Sequence, residues 1–239
     1  MAVSSGPGDR PGMQGNAADC RTRSQSAAFV LVSALVLMIC NAGLVGLPPA
    51  WDVAVATAAA VLVLAIGRWR GLSWREMGLR PESAPSGLRW GGLAVAVVTL
   101  FYAAMLLFPA TRDATADLAS STGRNVWVTA LVLVPLRTVI LEELIFRAVL
   151  WGMIARRSGT AWALGGSAVA FGLWHVAPAL SLSARTGEGA SISLLGVIAF
   201  TTVAGLLFGE LRRRSDSLIA PIAMHWATNG LGLIAAYLA

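Results

Sequence analysis

The sequence has no lysine, two histidines, two cysteines and twelve acidic residues in 239, and charged side chains make up only 13% of it. A soluble domain carries about 25% charged residues, so this chain has too little polar surface to cover itself in water. Cys20 lies in a polar stretch and Cys40 in an apolar one, which excludes a disulfide framework. Ile39 is too large to precede a lipid-modified cysteine, so no lipid anchor is expected. There is no internal repeat, and no H-E-x-x-H zinc-protease pair. Apolar sequence is what the chain has in abundance. It is 56% hydrophobic, gathered in blocks of about 16 to 25 residues, where a helix needs roughly 20 to cross the hydrocarbon core.

These blocks predict an all-α polytopic membrane helix bundle of about seven transmembrane helices, with an eighth, re-entrant or broken helix left open. Residues 1–25, rich in Gly, Ser, Asp and Arg, read as a disordered tail, and residues 26–239 as one membrane domain. Span 1 covers Ala27 to Gly46 and is expected to be retained, since no A-x-A-like cleavage site follows it. Span 2 runs from Trp51 to Ile66. The basic stretch RWRGLSWREMGLRPESAPSGLR then predicts a short interfacial helix ending at Pro81. Spans 3 to 7 are Trp90 to Phe108, Val126 to Leu150, Ala161 to Leu182, Ser191 to Gly209 and Leu218 to Leu238. Trp51, Trp69, Trp74 and Trp90 suit an interfacial belt.

Of the 18 basic residues, all arginine, 13 fall in the tail and in alternate loops (Arg68 to Arg89, Arg156 to Arg157, Arg212 to Arg214). Arg112, Arg124 and Arg185 occupy the opposite loops. That bias places the N-terminus in the cytoplasm. The arginines sit in loops rather than on a helix face, so the net charge of +6 is a topology signal, and no nucleic-acid partner is expected. All-arginine usage with abundant Ala and Gly points to a GC-rich genome, and a bacterial cell membrane is the expected location.

Charge inside a bilayer costs about 2.5–3.5 kcal/mol per residue at a helix centre, yet span 4 carries Arg137, Glu142, Glu143 and Arg147. Glu143 and Arg147, four apart, share a helix face and suit an ion pair. Glu142 is turned about 100° away, has no partner on its own helix and is free to act as a general acid or base. Arg137 has no evident partner. Pro135 leaves the carbonyl of Leu131 without its helical donor, which predicts a kink beside the carboxylates. Both histidines lie in apolar spans, as Phe171-x-x-x-His175 and His225-x-x-x-Asn229, each pair on one face. A lone helical histidine is usually a hydrogen-bonded core residue, but two histidines, an unpaired glutamate and an asparagine together point to a site. Depth at 1.5 Å per residue puts Glu142 about 12 Å and His225 about 10 Å from the inner face, against about 21 Å for His175. That mismatch needs a tilted or late-entering span 5. Gly205-x-x-x-Gly209 predicts a close helix contact.

Glu142-Glu143-x-x-x-Arg147, Phe171-x-x-x-His175 and His225-x-x-x-Asn229, in this order on separate spans, resemble the CPBP intramembrane proteases. These include the type II CAAX prenyl endopeptidases and relatives linked to bacteriocin processing or immunity. The resemblance covers roughly residues 126–236. It implies an endopeptidase in which Glu142 and His175 activate water, His225 and Asn229 stabilise the oxyanion, and Glu143, Arg147 and Phe171 support the site. It implies a membrane protein or peptide as substrate, within the lipid bilayer. No cofactor is expected; if zinc is bound, Glu142, His175 and His225 are its ligands, with an open water position. A non-catalytic membrane binding protein, such as a bacteriocin-immunity protein or scaffold, is the alternative. A proton-coupled transporter would instead call for a repeated architecture. Oligomeric state is not readable.

Overall fold

The structure, a computed structural model, describes residues 49–109, 111–112, 125–180 and 190–239, all within one compact unit, Leu47–Ala239. The tail, span 1, Arg124 and Arg185 lie outside the described residues.

Every regular element among the described residues is helical, and the long ones are α1 (Pro49–Trp69), α2 (Ala84–Leu107), α3 (126–158), α4 (Thr160–Trp174), α5 (Ala190–Ser215) and α6 (219–238). Four stretches, Trp51–Trp69, Pro81–Leu107, Thr160–Leu180 and Leu194–Ser215, are long and apolar enough to cross a membrane. They correspond to spans 2, 3, 5 and 6. α3 and α6 occupy spans 4 and 7.

The winding of α3 departs from the simple helix expected. The Val134 amide reaches back five residues to Thr129 O, and Ile140 to Pro135 O. In this wider π register the next donor after Val134 would be Pro135, which has no N–H. Ala130 O is left without that donor. Trp226 of α6 takes its place, donating Nε1–H to Ala130 O at 3.0 Å.

α3 also runs on to Ser158 instead of stopping at Leu150, and Gly159, at φ 87°, turns the chain directly into α4. The extension brings Glu142 and His175 to matching depths. Glu142 lies sixteen residues before Ser158 and His175 fifteen after Thr160, roughly 24 and 22 Å at α-helical rise.

The expected interfacial helix after span 2 is instead a single capped turn. Ser73 N donates to Glu76 Oε2 at 2.8 Å and Glu76 N to Ser73 Oγ at 3.2 Å, a capping box that Gly78, at φ 73°, closes at once. Arg156 at the end of α3 clamps this turn, donating to Glu76 Oε1 and Oε2 at 2.7 Å each. The Arg156 guanidinium and Ser73 hold the Glu76 carboxyl at about 2, well below the usual carboxylate range. Arg212 donates to Glu76 O at 3.1 Å, and Leu218 N to Gly78 O at 2.8 Å. One end of the bundle thus gathers the arginines of three loops.

Arg137 finds its partner on another helix: Asp52, on the first turn of α1, which is 4% exposed and bonds to Arg137 Nη2.

Small residues set the close spacing of α4 and α5. A Cβ at Gly205 would lie 3.0 Å from Ala168 Cα, and one at Gly209 2.7 Å from Leu164 Cδ1, as the GxxxG spacing predicts. A Cβ at Gly172 would overlap Thr202 Oγ1 and stand 2.9 Å from Ile198 O. Gly172→Ala must push the two helices apart, with an expected loss of about 1–3 kcal/mol. Gly165→Ala, with nothing within 4 Å, is its control. Thermal unfolding in nanodiscs checks the pair; equal melting temperatures would contradict this packing.

Candidate active site

Four of the six helices converge on the carboxylates of α3. Glu142 is 5% exposed, and Glu143 and Arg147 are 0% exposed, unusual burial for charged side chains. Glu143 and Arg147 form the i,i+4 pair the spacing predicts, Arg147 Nη1 donating to Glu143 Oε1 at 3.1 Å. Arg147 Nη2 also donates to Gly205 O at 3.3 Å, and its guanidinium lies 4.2 Å from the Phe171 ring centroid and 5.1 Å from that of Phe208. Hydrogen bonding, charge and cation–π attraction thus tie α3 to α4 and α5 at one point.

His225 comes to this cluster from α6. Its Nδ1 is 2.8 Å from Glu143 Oε1, and its Nε2 faces Glu142 Oε2 across 3.8 Å. A carboxylate only accepts, so Nδ1 carries the proton and donates. The ring stacks on Phe208 with centroids 4.8 Å apart and stands edge-on to Phe171 at 5.6 Å. Glu143 therefore holds both a guanidinium and an imidazole with a single oxygen, a supporting role made possible by its place one residue along from Glu142.

Glu142 points elsewhere, as its 100° offset implies. Its Oε1 accepts Trp174 Nε1–H at 3.0 Å. Its Oε2 is buried with no hydrogen-bond partner. Trp174 was not singled out in the sequence, because an indole in the apolar run Phe171–Val176 reads as ordinary core.

The adjacent residue is His175, where α4 breaks. Its backbone (φ −86°, ψ 6°) leaves the helix, and its amide bonds Gly172 O at 3.1 Å rather than Phe171 O. The freed Phe171 carbonyl accepts from His175 Nδ1 at 2.8 Å. A carbonyl cannot donate, so Nδ1 bears the hydrogen and Nε2 keeps its lone pair. Phe171 buttresses this ring at a centroid distance of 4.7 Å, so the Phe171–His175 spacing has the meaning read into it.

Asn229 lies in the π-wound turn Ala227–Leu231, is exposed, and accepts from Thr228 Oγ1 at 3.4 Å. Glu142, Glu143, Arg147, Phe171 and His225 form one connected cluster; His175 joins it through Phe171, and Asn229 stands one turn beyond His225.

No group of three or more His, Cys, Asp or Glu among the described residues is arranged to hold a metal ion. Glu142, His175 and His225 do not fit zinc in this arrangement, and none of the chemistry below is routed through a metal. A cavity of about 370 Å³ opens at the arginine-rich end, lined by Arg75, Glu76, Trp151, Arg156, Arg212 and Asp216 among others. Arg156 and Arg212 are already engaged by Glu76, Asp216 and backbone carbonyls, so it is a structural joint rather than part of this site.

Residues 124–231 match the family model described as type II CAAX prenyl endopeptidase Rce1-like. The matched stretch contains all three motifs, from Glu142 to Asn229, and bears out the family resemblance they suggest. No curated protein and no solved structure matches the chain.

Proposed function

We propose that this chain, whose residues 124–231 match the family model of Rce1-like type II CAAX prenyl endopeptidases, is an intramembrane endopeptidase of the glutamate type. The observation that carries the reading is Glu142: a buried carboxylate, within the matched region, with one oxygen held by an indole and the other unpartnered opposite an imidazole.

In this mechanism Glu142 Oε2 takes a proton from a water whose second hydrogen is accepted by His175 Nε2. The water oxygen attacks the scissile carbonyl carbon, and the carbonyl becomes an oxyanion. His225 and Asn229 supply the donors aimed at that charge, the kind of preset stabilisation that contributes most to acyl transfer. His225 Nδ1 already donates to Glu143, so donation from Nε2 requires a proton on both ring nitrogens. In that state Arg147 and His225 balance the charges of Glu142 and Glu143. When the C–N bond breaks, Glu142 returns its proton to the departing amine. Phe171, packed against both imidazoles and the guanidinium, keeps water from spreading through the cluster.

Cleavage of a peptide library, including prenylated members, by the purified protein in nanodiscs and ¹⁸O-enriched water tests the reading. Products with one ¹⁸O in the new carboxylate are expected. Tight binding of a library member without cleavage would replace this reading with that of a binding protein.

The site is expected to open to the cytoplasm. In a chain without its native cysteines, Arg157→Cys and Arg213→Cys should react with an impermeant maleimide only from the cytoplasmic side. Labelling from outside would overturn the orientation.

A further inference from the structure

Trp174 is 7% exposed, and its indole bonds the carboxylate at the centre of the site. The break at His175 makes this reach possible. The His175 amide bonds Gly172 O, and its own ring satisfies the Phe171 carbonyl that the break exposes. One interruption of α4 therefore sets two rings at once, the imidazole back onto Phe171 and the indole across to α3. The indole is then fixed edge-on against Phe146, with centroids 5.7 Å apart.

The consequence lies in the two oxygens of Glu142. Oε1 accepts the indole N–H at 3.0 Å, whereas Oε2 has no partner and faces His225 Nε2 at 3.8 Å. An unrestrained carboxylate would present either oxygen and swing between them. An indole is a donor only, so it holds Oε1 without competing for the proton that Glu142 must take up.

We propose that Trp174 is a positioning residue for Glu142: its N–H pins Oε1 so that Oε2 is the oxygen presented to the attacking water. This rests on the reading of Glu142 as the base, and the experiment separates the two claims.

Two replacements distinguish donation from packing. Trp174→Phe keeps an aromatic ring against Phe146 and removes the donor. Trp174→Gln loses the ring but carries an amide N–H at the same number of bonds from Cα as the indole N–H. Neither alters His175, Glu143, Arg147 or His225, the titratable neighbours. With a library peptide that the wild type cleaves, Trp174→Phe should lower kcat about 10- to 100-fold, as expected when a reacting group loses its alignment, with KM little changed. Trp174→Gln should recover most of the rate. A Phe variant with wild-type kcat, or a Gln variant slower than the Phe variant, would reduce Trp174 to packing and overturn the proposal.

A second measurement needs no substrate. In protein carrying ¹⁵N-labelled indoles, the N–H resonance that vanishes when Trp174 is replaced should shift on Glu142→Gln, since its acceptor changes from a carboxylate to an amide. An unmoved resonance would overturn the hydrogen bond itself. If Glu142→Gln cleaves like the wild type while that resonance shifts, the base assignment fails and the contact between the two residues stands.

Discussion

Arg147→Ala is expected to lower folding stability by about 3–5 kcal/mol, the usual result of removing one partner of a buried ion pair. Glu143 is 0% exposed and would keep only His225 on its bonded oxygen. Two further ties would go with the guanidinium: the bond to Gly205 O at 3.3 Å, which joins α3 to α5, and the contact 4.2 Å from the Phe171 centroid, which joins α3 to α4. A domain is stable by about 5–15 kcal/mol in total, so the loss is a large fraction of it. Folded yield should fall severalfold, and the melting temperature in nanodiscs by roughly 10 °C. Arg147→Lys should lie between the two, keeping the charge but losing the planar fork that reaches Glu143 and Gly205 together. Wild-type yield and melting for the alanine variant would contradict this account of the cluster.

Glu142→Gln should act in the opposite way, leaving the fold and removing the chemistry. The amide oxygen can still accept from Trp174, and no buried cation depends on Glu142 for a bond as Arg147 depends on Glu143. Melting should therefore stay within about 2 °C of the wild type, as for substitutions that break none of the large stabilising contacts. An amide cannot take a proton from water, and general-base catalysis is worth about 10²- to 10⁴-fold. The loss should appear in kcat, since the group acts on the reacting water rather than on the bound peptide. A loss of stability with kcat retained would reverse the roles given to the two adjacent glutamates.

The contrast between these neighbours was legible before any fold was known. Helical periodicity alone separates their faces and pairs Glu143 with Arg147, because both statements are local. The Phe171–His175 contact is local for the same reason, and the Gly205–Gly209 spacing marks a close approach without naming the helix that makes it. What depends on a second helix was hidden. Asp52 sits on the first turn of its helix, where an acidic residue suits the N-terminal dipole, and nothing nearby announces Arg137 as its partner. Trp174 carries a donor that matters only because α4 breaks one residue later, and the break is closed by a histidine side chain that no propensity anticipates.

The boundaries that moved did so for tertiary reasons as well. α3 was expected to stop near Leu150, since Arg156 and Arg157 look like loop residues. Arg156 instead lies in the last turn of the helix and clamps Glu76. The basic stretch after α1 has helix-like composition, but Gly71 and Gly78 adopt positive φ and confine it to turns. Pro135 did signal an irregularity at the correct place. The π winding around it, and the Trp226 indole bonded to Ala130 O, depend on packing against α6.

Cleavage of one peptide by wild type and Glu142→Gln, side by side in nanodiscs with and without a strong chelator, tests the central claim most directly. The account predicts hydrolysis by the wild type in both conditions and none by the variant in either. Equal cleavage by the variant, or wild-type cleavage lost to chelator and restored by zinc, would contradict it.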